Sequence, residues 1–350
     1  MMRLVTVRRS ASRARALTMQ CWSIPGLMLL LAATAASAAA SEVRIGSGTG
    51  IHYLPLYVMD SYHLLEKHAA ALGAPVPKAT YTKLSGGASL NEAVISGAVD
   101  IAAAGVGPFA ILWDKTKGRL NVKALAASGD VPLVLVTTES RIKNLNDIQE
   151  DDRIAVPAVK SSMQAVVLQM GVARAKGAAN YEALDQNTVS MPHSEAVLAL
   201  LSRRGLVNLH FSVPPFSNRE LADPTVRRVT DSTEIMGGPM SLNLIFATER
   251  FHDADPVVCR AFQEGLAEAM DIINSDRSSA VRIYLDNDSS GGTETSFIAH
   301  VLDDPALVFT VVPHGVLGAV GFMHKIGIIK NDPESLKDMF FSDAPILEGN

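Results

Sequence analysis

The sequence has little cysteine, few aromatics and no surplus of positive charge. Two Cys in 350 residues exclude a disulfide scaffold and a four-thiolate zinc site. Aromatics make up 5% of the chain and the formal net charge is −5. Both argue against a nucleic-acid binder, which needs clustered basic side chains to neutralise phosphates. The nine His form no HExxH motif and no i,i+4 pair, and no P-loop or G-x-S-x-G elbow is present. These absences give no catalytic residue, no metal ligand set and no cofactor. Past residue 40, no run of about 18 apolar residues lacks a charge or a breaker, so a spanning helix is not expected there. What remains is a chain that is 48% hydrophobic, with a mean hydropathy of +0.18. That content excludes intrinsic disorder, and the length suits about two domains.

The first 40 residues stand apart. Arg3, Arg8, Arg9, Arg13 and Arg15 form a basic start without Asp or Glu. An apolar stretch from Ile24 to Ala36 follows, then the small residues Ala35 to Ala40. This is the order of a secretory signal peptide, with cleavage expected after Ala38 or Ala40; a retained signal anchor is the alternative. Cys21 precedes the apolar stretch and so cannot become a lipidated first residue. Removal of the segment leaves 26 Lys and Arg against 36 Asp and Glu, a net charge near −10, and the single Cys259. The mature chain is expected to be exported to the periplasm.

From Val43 onward, strands and helices alternate, which predicts an α/β fold with largely parallel sheets. Strands are expected at 43–46, 79–84, 99–104, 122–127, 133–137, 154–156 and 207–211. Helices are expected at 53–72, 89–96, 109–114, 161–175, 194–202, 278–285, 295–302 and 314–326, and from Pro256 through Ile273. A helix, a glycine, a strand and a Pro-Phe turn occur around Gly97 to Phe109. The same order returns around Gly205 to Phe216. Two similar lobes are therefore predicted: residues 41–129, then 130–238, with 239–350 returning to the first lobe.

Several loops suit ligand binding. The Gly46-x-Gly48-x-Gly50 loop lacks the spacing of a dinucleotide fingerprint, because position 51 is Ile. It reads better as backbone N–H groups offered to a ligand. Ser85-Gly86-Gly87 precedes a helix, where unpaired N–H groups and the helix dipole favour an anion; Ser85 or Ser89 as a simple N-cap is the alternative. Ser161-x-x-Gln164 matches a capping box, which leaves Ser162 free for a ligand. His193 and His210 read as hydrogen-bonding structural residues, and Cys259 as a core residue of an amphipathic helix.

Val43–Leu56, Leu84–Asp114, Ile154–Met170 and Leu209–Phe216 together resemble the periplasmic substrate-binding proteins of nitrate/sulfonate/taurine-type ABC importers. These are related in turn to thiamine-pyrimidine-precursor binding proteins. The resemblance implies a type II periplasmic-binding-protein fold, with two α/β lobes joined by two crossing segments around a ligand cleft. It implies a small-molecule ligand, an inner-membrane ABC permease as partner, a monomer, and no enzymatic step. Carried over by position, Thr49, Gly50 and His52 line the first lobe with Ser85, Gly86, Gly87, Gly105 and Val106. Asp130 sits near the hinge, where it suits an amine. Ser161, Ser162, Gln164, Phe211 and Ser212 face them from the second lobe, with Phe211 or Tyr53 available to stack on a heterocycle. No Arg lies in these loops, so the charge partner of an anion is left to helix ends. A pyrimidine-precursor binding or synthesising protein and a solute sensor are the alternatives on the same fold.

Overall fold

The computed structural model describes residues 41–287 and 293–345. The expected signal peptide, residues 1–40, lies outside them. The strands are β1 (Glu42–Ser47), β2 (Lys78–Lys83), β3 (Ile101–Gly105), β4 (Lys123–Ala127), β5 (Val134–Thr137), β6 (Ile154–Val156), β7 (Thr188–Ser190), β8 (Leu209–Ser212), β9 (Arg227–Asp231) and β10 (Asn243–Ala247). The helices of the first half are α1 (Leu54–Ser61), α2 (Leu64–Ala71), α3 (Gly86–Ser96), α4 (Val106–Thr116), α5 (Met163–Lys176), α6 (His193–Ser202) and α7 (Phe216–Leu221). Those of the second half are α8 (Ser232–Met236), α9 (Glu249–Ala254), α10 (Pro256–Ser275), α11 (Arg277–Asn287), α12 (Thr295–Leu302), α13 (Val316–Lys325) and α14 (Leu336–Met339).

Two five-stranded sheets result, ordered β2-β1-β3-β10-β4 and β7-β6-β8-β5-β9. Each repeats one plan. Three parallel strands alternate with helices, and a strand antiparallel to its neighbours is inserted beside the third. In each sheet that inserted strand follows a crossing from the other lobe: β5 after residues 128–133 and β10 after residues 237–242. The inner strands β3 and β10 are nearly or wholly buried, which explains their apolar runs (IAAAG and NLIFA) in place of a polar–apolar alternation.

Two local expectations change. The single helix expected over 53–72 is split, because His63 adopts a left-handed conformation with φ of 50°. One such residue is enough to end a right-handed helix and start a new one. The capping box expected at Ser161 and Gln164 does not form. Ser162 is the N-cap of α5: its Oγ accepts from the N–H of Ala165 at 3.3 Å and donates to the carbonyl of Ala158 at 2.7 Å. Gln164 is thereby left for the contacts described below.

Candidate functional site

The two lobes meet along the first turns of α4 and α5. A Cβ added to Gly107 would lie 2.6 Å from the carbonyl oxygen of Ser161, so only glycine permits this approach. Helix α13 packs on both α4 and α5, and the ring of its Phe322 meets Tyr181 edge-on at 6.2 Å. Gly105 ends β3 opposite Asn243 of β10, and the N–H of Val106 donates to the carbonyl of Leu242 at 2.9 Å. These two predicted site residues are thus tied to the second crossing.

The loop after β1 packs on itself. Gly50 has φ of 124°, and a Cβ there would lie 2.7 Å from the His52 ring. A Cβ on Gly48 would lie as close to the Tyr53 hydroxyl, which the side chain of Asn243 also influences. Burial pushes the Tyr53 hydroxyl up to about 12, against the opposing pull of Asn243 and the Gly48 backbone. His52 is buried, and its Nδ1 has no hydrogen-bond partner among the described residues. Burial holds its pKa down at about 4. Thr49 is exposed at the loop tip.

On the second lobe a line of polar side chains leads inward from Gln164. Its Nε2 lies 3.1 Å from Nε2 of His193, and Nδ1 of His193 lies 2.8 Å from Nε2 of His210. Nδ1 of His210 lies 2.6 Å from Oε1 of Glu220. His210 and Glu220 are fully buried, and Phe216 stacks on His193 with centroids 5.6 Å apart. Burial, then the neighbouring His210 and His52, hold the pKa of His193 well below 6.5. His52 and His193 therefore feel each other across the junction of the lobes.

The other predicted site residues have different surroundings. Ser85 and Gly86 are exposed at the start of α3, and Ser85 makes no side-chain cap. Gly87 is set against Pro108, whose ring would lie 2.5 Å from an added Cβ. Close packing between α3 and α4 thus explains this glycine without a ligand. Ser161 abuts Gly107, as described. Phe211 is fully buried in the main core, and the ring presented to the histidines is Phe216 instead. Ser212 is fully buried, and its Oγ has no partner among the described residues.

Asp130 is also committed internally. Its Oδ1 accepts from Ser241 Oγ at 2.9 Å, and its Oδ2 lies 2.6 Å from Nδ1 of His314. Its backbone pairs with Val308 in both directions, at 2.7 and 3.0 Å. Burial raises its pKa, opposed by Ser241 and His314. Both crossings and a C-terminal segment are joined at this residue, and each of its carboxylate oxygens already faces an internal partner.

The sequence reading did not foresee the His193–His210–Glu220 line. Glu220 lies in the short helix α7, just past the Pro-Phe turn and without a pattern of its own, and ten residues separate it from His210. No groups of three or more His, Cys, Asp or Glu among the described residues are arranged to hold a metal ion. No helix among them is long and apolar enough to cross a membrane.

No protein-family model matches the chain, and no curated protein matches its sequence. Solved structures do match in shape. The periplasmic aliphatic sulphonate binding protein of Escherichia coli is similar with a TM-score of 0.66 at 17% identity, over 86% of this chain and 98% of that one. The alkanesulfonate-binding protein of Xanthomonas axonopodis pv. citri, bound to MOPS, gives 0.65 at 18% identity, over 83% and 93%. A Candida albicans gene product described as having the generic periplasmic binding protein structural fold gives 0.62 at 12% identity, over 88% and 99%. The doubled sheet order, the two crossings and these likenesses together give this chain the two-lobed periplasmic-binding-protein fold.

Proposed function

We propose that this chain is a periplasmic solute-binding protein of an ABC importer. It captures a small polar or anionic organic solute of the sulfonate, nitrate or taurine kind and presents its closed form to a permease. The observation that carries this reading is the junction of the lobes at Gly107 and Ser161. There the first turns of two helices from opposite lobes converge, and helix N-termini favour anions through unpaired N–H groups and the helix dipole. The two crossings suit a hinge, and hinge closure around a ligand is the standard motion of such lobes. Similarity to sulfonate-binding proteins supports the solute class. Thr49, Gly50, His52, Gly105 and Val106 contribute the first wall, and Ser161, Ser162 and Gln164 the second. Residues 1–40 serve as the export signal.

A thermal-shift screen of the mature protein tests this directly. The panel holds sulfonates, nitrate, aromatic acids and pyrimidines. A binder raises the melting temperature by mass action, by an amount that grows with its concentration over Kd. Absence of any shift, together with turnover of a substrate by the purified protein, would remove the transport reading.

A further inference from the structure

The line from Glu220 to Gln164 has a definite proton count. A carboxylate only accepts hydrogen bonds, so an ionised Glu220 takes the Nδ1–H of His210. That leaves Nε2 of His210 to accept the Nδ1–H of His193. Nε2 of His193 then carries a lone pair, which takes an N–H of the Gln164 amide. Each imidazole then carries one N–H in the line, and Glu220 is the acceptor at its inner end. The second oxygen of Glu220 is buried without a partner among the described residues. A buried carboxylate left this way favours any added positive charge along its line.

The place where a proton enters is Nε2 of His193. It belongs to the outermost titratable group of the line, on which His52 of the first lobe also acts, and Gln164 can accept there once its amide turns to present oxygen. We propose that the cleft takes a strong-acid anion together with one proton, held on His193 and shared through His210 with Glu220. This rests on the solute-binding reading and assigns the charge partner that the loops otherwise lack.

The groups acting on His193 are consistent with that role. β8 presents His210, with Glu220 of α7 behind it, and α7 adds only the ring of Phe216. α5 presents the neutral amide of Gln164, and Lys160 just before α5 lies 4.0 Å from Asp185. Glu195 stands in the first turn of α6 itself. From the first lobe comes His52. An anion beside the imidazole offsets both the burial and the repulsion from His52 and His210, so anion and proton enter together.

Methanesulfonate and nitrate are suitable probes, because neither changes charge between pH 5 and 9. Calorimetric titration in triethanolamine and in Tris, which carry no anionic group, reads the protons exchanged. The expected result is uptake of about one proton per anion and an affinity that falls about tenfold per pH unit above neutrality. His193→Gln is expected to bind these anions with a flat pH profile. If that variant does not fold, the buffer comparison and pH profile of the unaltered protein decide alone. Anion binding without buffer dependence and without a pH slope overturns the proposal. So does binding of neutral solutes such as uracil with no binding of anions, an outcome that leaves the solute-binding reading intact. Failure of every probe overturns the proposal, and turnover of a substrate beside it removes the solute-binding reading as well.

Discussion

At the scale of single residues, Gly107 carries the clearest consequence. A methyl group there would meet the Ser161 carbonyl at 2.6 Å, and that backbone oxygen, just before the N-cap of α5, cannot move aside without disturbing the start of the helix. Gly107→Ala is therefore expected to leave folding intact, since Ala is favoured over Gly in helices by up to about 1 kcal/mol. Closure should suffer instead. Affinity for a solute identified by thermal shift is expected to fall at least about tenfold, or ~1.4 kcal/mol. Calorimetry of the variant beside an unchanged melting temperature checks this; unchanged affinity would mean that the lobes need not approach this closely. Residue identity in the candidate site was only partly legible. His52 and Gln164 were named from the order of motifs alone. The internal commitment of Asp130 could not, because its partners Ser241 and His314 are 111 and 184 residues away. The burial of Phe211 was not legible for a simpler reason. In a strand of four residues buried throughout, alternation gives no sign of which face meets the core.

At the scale of elements, legibility followed the strength of the pattern. α10 is the example: Val258, Phe262, Leu266, Met270 and Ile273 recur at helical spacing and are all buried. Pro256 opens the helix, and Asp255 caps it by accepting from the N–H of Val258 at 3.3 Å. Cys259 lies on the same buried face, and burial pushes its thiol up to about 12, aided by the nearby Asp343. Native protein at pH 8 is therefore expected to resist iodoacetamide, with alkylation at this position only in denaturant. Mass spectrometry before and after unfolding checks it, and rapid labelling of folded protein would contradict the packing. The strands β9 and β10 escaped the sequence reading. β9 is an amphipathic edge rich in charge, and β10 follows a Gly-Pro crossing whose polar residues read as loop. Their places come from pairing with distant partners, β10 with both β3 and β4, which no local pattern encodes.

At the scale of the whole molecule, stability depends on pH through groups held far from their ordinary values. His52 has a folded pKa of about 4 against 6.5 in the unfolded chain. Below pH 6.5 the unfolded chain binds the extra proton, so stability falls as the pH drops from 6.5 to 4 and levels off below that. The full effect for so buried a group is on the order of 3 kcal/mol. Burial lowers His193 too, so its contribution has the same sign. Asp130 acts oppositely: its pKa is raised, so stability falls as pH rises between the unfolded and folded values. Urea unfolding at pH 7.5 and pH 4.5 measures the sum, and His52→Gln is expected to remove a large part of the loss. An equal loss in the variant would place the acid sensitivity elsewhere. The doubled architecture was legible from the repeated helix–glycine–strand order, and the resemblance set Asp130 near the hinge; its bridge to Val308 was not legible, and that bridge has a mechanical consequence. Two crossing strands alone form a ribbon, which bends and twists with similar ease. Here Asp130 makes isolated bridges to Ser241 on one side and Val308 on the other, so a third segment widens the junction, while Gly129, with φ of 108°, lets the chain pass under the Val308 carbonyl. A ribbon widened in this way resists torsion far more than bending. A junction of three segments is expected to favour a single axis of rotation between the lobes, so that repeated movement would return facing residues to the same registration.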